Sequence, residues 1–301
     1  MDNYNYVAFR TMRIVAVLSL LTLVAACSPG QHRSKAEVTD NAMAITVVPP
    51  GELNYYPPGE YLRNGYPAVP PQSTIRFEHA LAISTRQVSQ AEYAACVAEN
   101  ACQPLDRAQR EDIDPTLPAV GISWRDATAY AQWLSGKTGD YYRLPTYTEW
   151  VYAAGSAYKE DILLDEFDIN NPAQRWLAEY ALETQRKTMV DGNLRTFGGF
   201  GTNEEGVMDI AGNVWEWTDT CHVRQYLDAE GEIGSVSSEN CGVRVVAGAH
   251  RSYIPDFIRD AKSGACSVGV PPSNLGFRLV RDAGVRPSPD TPSLRERLGL
   301  A

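Results

Sequence analysis

Apolar and polar positions alternate without a fixed period along the middle of the chain, which predicts short helices and short strands. Residues 76–84 (RFEHALAIS) alternate as a strand does. Helices are predicted after Ser89, Ser123 and Thr146, because each is followed three residues later by an acidic residue and this spacing forms a capping box. The chain between residues 43 and 283 therefore combines both kinds of element.

The predicted helix after Ser123 has one apolar face and a glycine-marked end. Its apolar face comprises Ala127, Tyr130, Ala131 and Leu134, and Gly136 and Gly139 are expected to stop it. The pattern is weakest over 157–203, where a helix over 172–185 is the one element suggested. Few helices, short apolar runs and long connections predict an α+β fold with much irregular backbone.

The N-terminus has the pattern of a lipoprotein signal peptide. Arg13 precedes an apolar run over 14–26 that is too short to span a bilayer, and small residues lead up to Cys27. This pattern predicts Cys27 as the lipidated, palmitate-bearing mature N-terminus. The alternative is an ordinary secretory peptide with an incidental cysteine, and Met12 is an alternative start.

Lipidation implies a membrane partner and a cell-envelope location. Two acyl chains would anchor Cys27 stably in a lipid membrane. Ser28 after the cysteine favours the outer membrane of a Gram-negative envelope, with the protein facing the periplasm. The predicted segments are a signal peptide (1–26), a lipidated flexible tether (27–43), one domain (44–283) and a flexible tail (284–301).

The net charge argues against nucleic acid as a partner. The whole chain carries −10, and removal of residues 1–26, which contain Asp2, Arg10 and Arg13, leaves −11. Nucleic-acid binding requires basic patches that displace counterions.

Five cysteines follow Cys27, and in an oxidising compartment disulfides are favoured over metal ligation. Cys96 and Cys102 lie close together across a helix end, and Cys221 with Cys241 could close the loop after a tryptophan-rich motif. Cys266 is then odd. An inert buried residue, a mixed-disulfide site and a reactive nucleophile remain open for it.

Several motifs, taken in order, resemble the formylglycine-generating enzyme (sulfatase-modifying factor) domain over residues 44–282. They are Leu117–Trp124, Ala127–Leu134, Tyr142–Thr146 with Glu149 and Trp150, Gly206–Trp217, Arg244–Gly248 and Asn274–Arg278. The resemblance implies that family's fold, an α+β variant of the C-type-lectin-like type with short helices, short strands and long loops.

The resemblance also implies a structural calcium site in the segment from Gly206 onward. Asp209, the carbonyls of Gly212 and Val214, and the Glu216 carboxylate match its ligands. Such oxygens suit the hard Ca²⁺ ion. The alternative is that both carboxylates cap and hydrogen-bond the loop without a metal.

The chain departs from the family where its copper would bind. The enzymes of the family oxidise a substrate cysteine with O₂ through copper held by two cysteines, and soft Cu(I) prefers paired thiolates. Counting forward from the preceding glycine puts these positions at Tyr253 and Ile258, and counting back from the last motif puts them at His250 and Pro255. Copper is therefore not expected. Iron is not expected either, because the histidines of the domain are not spaced to gather around it.

The same segment corresponds to the family's substrate groove, so His250, Arg251, Tyr253 and Arg259 are predicted to bind a substrate or partner. Arginine can grip a carboxylate with two hydrogen bonds, and tyrosine offers a ring face and a hydroxyl. The alternative is an ordinary polar loop, with Arg259 and Arg278 as internal salt-bridge partners of the fold.

Two classes of function remain. The first is a calcium-stabilised, non-catalytic binding or assembly module with a protein or glycan partner in the envelope. The alternative is a metal-dependent oxidase or other modifying enzyme. The missing cysteine pair favours the first class.

Overall fold

The computed structural model describes residues 43–105, 113–158, 177, 194–210, 212–248, 265–266 and 274–282. These include three helices: α1 (Gln90–Ala98), α2 (Trp124–Thr138) and α3 (Tyr147–Ala154), the last followed by a 3-10 turn at Gly155–Ala157. No helix in the described ranges is both long enough and apolar enough to cross a bilayer.

Twelve strands lie within the same ranges. They are β1 (Ile45–Val48), β2 (Gly51–Tyr55), β3 (Glu60–Arg63), β4 (Tyr66–Pro67), β5 (Ser73–Phe77), β6 (Leu81–Ser84), β7 (Tyr141–Arg143), β8 (Trp215–Leu227), β9 (Ile233–Ala247), β10 (Ala265–Cys266), β11 (Leu275–Gly276) and β12 (Val280–Asp282). The predicted α+β class is confirmed.

The strands form three sheets. One has the order β1-β6-β12-β7, so that a strand from near the end of the chain pairs between two earlier ones. The second has the order β10-β9-β8-β3-β4, with β11 paired alongside β8, and the third is the ribbon of β2 and β5. Two apolar clusters lie between these sheets and the helices, one around Tyr130 and Phe277 and one around Trp150 and Ile83. Trp150 and Phe277 are both at most 2% exposed.

The strand predicted over 76–84 is two strands in different sheets. Arg76 and Phe77 end β5, which pairs with β2, whereas β6 begins at Leu81 and pairs with β1 and β12. The polar, exposed residues Glu78 and His79 lie at the switch. Alternation in the sequence does not reveal that the hydrogen-bonding partner changes.

All three predicted capping boxes are present. In each, the side chain of Ser89, Ser123 or Thr146 accepts a hydrogen bond from the N–H three residues on, and the acidic side chain accepts one from the capping residue's N–H. Gly139, with φ of 80°, ends α2, whereas Gly136 lies inside the helix rather than stopping it. The helix suggested over 172–185 lies, apart from residue 177, outside the described residues.

Both predicted disulfides are also present. Cys96 pairs with Cys102 at the end of α1, and Cys221 pairs with Cys241 across β8 and β9. Cys266, in β10, pairs through its backbone with Val243 of β9. The two longest strands and one helix end are therefore cross-linked covalently.

Two of the capping boxes include an arginine that the sequence analysis did not identify. Arg86 donates to both oxygens of Glu92, and Arg143 donates to both oxygens of Glu149. Burial by itself raises the pKa of Glu149. The hydrogen bonds and charge of Arg143, together with the hydrogen bonds from Thr146, outweigh this effect and hold that pKa below its ordinary value. The helix starts are thus fixed by charged side chains as well as by caps.

Replacing Glu149 by Gln should lower stability most at neutral pH. A carboxyl whose pKa is lowered by folding contributes stability above its unfolded pKa, about 4.3, and loses that contribution as pH falls through the folded pKa. The difference in unfolding free energy between wild type and Glu149→Gln should therefore shrink between about pH 7 and about pH 3. Urea titrations at several pH values measure it. Glu52→Gln, a change at an exposed position of β2, is the control for the loss of one negative charge. A difference between wild type and Glu149→Gln that did not vary with pH would contradict the prediction.

Candidate functional site

The segment that resembles a calcium-binding loop, residues 206–216, ends in a carboxylate that forms a buried ion pair. The pair joins Glu216 to Arg278. Glu216 lies near the start of β8, where its backbone pairs with Ala247 of β9 and Gly276 of β11. The side chains of Glu216 and Arg278 are 1% and 0% exposed. For Arg278, this supports the alternative in which arginines of the domain are internal salt-bridge partners of the fold. Arg259, the other arginine of that alternative, lies outside the described residues.

Hydrogen-bond donors of the protein occupy both oxygens of the Glu216 carboxylate. Its Oε1 accepts from Gln87 Nε2 and Arg278 Nη2, both at 2.7 Å. Its Oε2 accepts from Trp150 Nε1 at 2.9 Å and from Arg278 Nε at 2.5 Å. A carboxylate oxygen has two lone-pair sites, so these four hydrogen bonds use the whole acceptor capacity of the group.

The guanidinium of Arg278 also holds two other segments. Its Nη2 donates to the carbonyl of Met208 at 3.0 Å, and its Nη1 donates to the carbonyl of Ser84 at 3.4 Å. Gln87 connects the same region, because its Nε2 donates to the carbonyl of Asp209 at 3.3 Å as well as to Glu216. The ion pair thus joins the ends of β6 and β8 to the loop before β8.

Asp209 is held by a turn of the preceding segment. Its two carboxylate oxygens accept the backbone N–H groups of Gly198 and Phe200, each at 2.7 Å. Its own φ is 53°, in the left-handed region that non-glycine residues seldom adopt. The turn cluster at 197–200 therefore binds an internal carboxylate.

Asn213 and Gly212 fix the same turn from the other side. The Asn213 amide accepts from the N–H of Arg195 and donates to its carbonyl, as a paired strand residue would. At Gly212 a Cβ would lie 2.5 Å from the Phe200 ring, so the ring packs directly on the glycine. Side-chain atoms of this segment are thereby bound to backbone atoms of residues 195–200.

These contacts bear directly on the predicted calcium ligands. The carbonyl of Gly212 accepts the N–H of Val214, and the Val214 carbonyl lies 3.3 Å from the position of a Cβ on Gly248. Glu216 has no lone pair left, and its neighbour Arg278 already supplies a positive charge. The donor set therefore does not fit Glu216 as a calcium ligand. Binding of the ion itself stays a prediction.

The predicted groove residues His250, Arg251, Tyr253 and Arg259 lie outside the described residues, as does the predicted lipidation site Cys27. The described chain leads to that segment through β9 and Gly248, which lies against Val214 and Trp150. Elsewhere in β9, the guanidinium of Arg244 lies 4.1 Å from the ring centre of Trp124 and donates to the Asp219 carboxylate.

Among the described residues, one further group has metal-ligating side chains close together: Cys221, Glu239 and Cys241. Its two sulfurs are joined in the disulfide between β8 and β9. They are therefore not thiolates that could hold a copper ion in this state.

The sequence reasoning missed Arg86, Gln87 and Arg143, which complete these clusters. Arg86 and Arg143 do have a local signal, since each stands three residues before a capping Ser or Thr and six before its Glu. Gln87 has none, because its partner Glu216 is 129 residues away.

Comparisons with known proteins identify similar chains. A family model described as the sulfatase-modifying factor enzyme 1-like domain matches residues 31–283. A formylglycine-generating enzyme of Streptomyces coelicolor is 34% identical over 185 residues, which cover 58% of this chain and 56% of that protein. The inactive C-alpha-formylglycine-generating enzyme 2 of Bos taurus is 28% identical over 191 residues, which cover 59% and 54%. The chain thus spans about half the length of these curated relatives.

A solved structure is also similar. The structure of PvdO from Pseudomonas aeruginosa matches with a TM-score of 0.49 and 25% identity, covering 79% of this chain and 94% of that one.

Replacing Gly212 by Ala should destabilise the loop through a clash with Phe200. The added methyl would meet the ring at 2.5 Å, and overpacking of this kind costs about 1–3 kcal/mol. Thermal unfolding should show a lower Tm for Gly212→Ala than for wild type. When Gly212→Ala is combined with Phe200→Ala, the fall in Tm should be smaller than the sum of the falls in the two single variants. In the control Gly136→Ala, the methyl meets nothing within 4 Å and should raise stability by about 1 kcal/mol. Additive losses in the double variant would contradict the contact.

Proposed function

The chain belongs to the family of sulfatase-modifying factor enzyme 1-like domains, and from that premise we propose that it is an envelope lipoprotein whose domain is a non-catalytic binding or assembly module. The groove residues His250, Arg251, Tyr253 and Arg259 would contact a protein or glycan partner. The lipid on Cys27 would keep the module at the membrane, facing the periplasm. Calcium is left out of this function because Glu216 is occupied by protein donors.

The number of cysteines available as thiolates carries the proposal. The chain has six cysteines, and four of them form the two disulfides. Cys27 and Cys266 are the other two. If Cys27 is acylated, Cys266 is the one thiol left, whereas copper of the family's kind needs a thiolate pair. A relative whose own name calls it inactive supports a domain of this kind without the enzymatic reaction.

A modifying enzyme is the second candidate. It is favoured by the 34% identity to a formylglycine-generating enzyme, which is higher than the 28% to the inactive relative. That candidate requires a metal site built from other side chains. The spacing of the histidines in the domain does not indicate such a metal site. The two candidates differ in a measurable way, because an oxidase consumes O₂ and a binding module does not.

The groove prediction is tested by replacing Arg251 and Tyr253 by Ala in the full-length, membrane-anchored chain. A crosslinker applied to intact cells should join wild-type chain to a partner, and the double variant should lose that product at unchanged Tm. Guanidinium and phenol groups supply much of the energy of typical interfaces, so a loss of at least about tenfold is expected. Lys137→Ala, a change on the exposed end of α2, serves as the control.

Measuring oxygen consumption tests the proposal that the domain is non-catalytic. Detergent-solubilised full-length protein, supplied with Cu(I) and a cysteine-containing peptide, should consume no more O₂ than protein-free copper does. Turnover above that background would identify an oxidase and overturn the non-catalytic proposal, and its loss in Cys266→Ser would show that the reaction depends on this thiol.

The lipid anchor is tested separately by Cys27→Ser. Wild-type protein should incorporate labelled palmitate and sediment with membranes. The variant should do neither, because acyl chains supply the membrane affinity. Cys266→Ser should behave as wild type. Membrane retention of Cys27→Ser without any label would show that the anchor is not this cysteine.

A further inference from the structure

The loop of residues 206–216 is neutralised by groups of the protein itself. Glu216 carries the charge that a structural cation would balance, and Arg278 balances it with two hydrogen bonds, one to each oxygen. Both side chains are buried. A calcium ion at Glu216 would have to displace this guanidinium and leave a cation buried without its counter-charge, which is strongly unfavourable.

Neutral donors occupy the remaining acceptor sites of the Glu216 carboxylate. Trp150 reaches Oε2 from α3, and Gln87 reaches Oε1 from the segment before α1. The Gln87 amide directs its nitrogen, not its oxygen, toward both Glu216 and Asp209. It therefore presents an N–H group to the loop, and an N–H group repels a cation.

The second carboxylate of the loop is satisfied in the same manner. Asp209 accepts two backbone N–H groups from the turn at 198–200, one on each carboxylate oxygen. The Phe200 ring covers Gly212, next to the carbonyl that the metal interpretation requires. Contacts between protein atoms therefore hold the turn at 198–200 against the loop of residues 206–216.

We propose that Arg278, with Gln87 and Trp150, takes the place of a bound cation, so that this chain folds and keeps its loop closed without a divalent metal. This inference is independent of the function proposed above, since either a binding module or an enzyme could use such a frame.

The first experiment measures metal content and stability of the full-length protein. Elemental analysis after purification without added metal should find far less than one calcium per chain. The Tm should be the same in excess chelator and in excess CaCl₂. Stoichiometric calcium, or a fall in Tm on chelation, would overturn the inference.

The second experiment removes the internal cation with Arg278→Met. The buried Glu216 carboxylate then lacks its counter-charge, and the Tm in chelator should fall by about 10 °C. Added Ca²⁺ should restore part of this loss in the variant and none in wild type, because Ca²⁺ can now balance Glu216. The control Arg281→Met removes a partly exposed arginine three residues on and should show neither effect.

A third variant keeps the test decisive if Arg278→Met does not fold. The double change Glu216→Gln with Arg278→Met removes both charges and should fold with no response to Ca²⁺. If the double variant were no more stable than Arg278→Met, or if its Tm rose with Ca²⁺, the stabilising role assigned to the ion pair would be wrong.

Discussion

The buried ion pair between Glu216 and Arg278 is the interaction on which the arrangement of this domain depends. Its groups and their partners come from five places in the chain. These are the end of β6 with the residues just after it (Ser84 and Gln87), Trp150 in α3, Met208 in the loop, and the two charged residues themselves. Removing one partner of a buried pair typically costs about 3–5 kcal/mol, whereas replacing both by apolar groups can be neutral. The pair therefore determines which segments meet more than it adds net stability.

The backbone around the pair is correspondingly tight. Gly276 lies opposite Glu216 in the parallel pairing of β11 with β8, and a Cβ there would be 2.6 Å from the carbonyl of Ala119. Leu279 exchanges hydrogen bonds with Ser84 directly beside the guanidinium. Close packing of this sort leaves little room to place Arg278 elsewhere. The final motif of the domain, NLGFR, thus combines a close-approach glycine with the central cation.

Local features of the fold were predictable and distant ones were not. Capping boxes at Ser89, Ser123 and Thr146 depend on residues three apart, and the disulfides depend on cysteines in an obvious pairing, so the sequence displays both signals. The partners of Glu216 lie 62 to 129 residues away, and nothing in the spacing identifies them. The predicted metal loop shows the consequence: the sequence displays the oxygen-bearing side chains of Asp209 and Glu216 but gives no sign of the donors that hydrogen-bond to them.

The contacts of the ion pair lie in parts of the chain that differ from the segment assigned to catalysis. In the described part of the chain, the hydrogen-bond partners of the Glu216 and Arg278 side chains lie between residues 84 and 216 or in the last motif. The family resemblance assigns the catalytic cysteines and the groove to another part of the chain, residues 249–264. The charges that organise the described core therefore lie on segments that are separate in sequence from the one that would carry the family's redox chemistry.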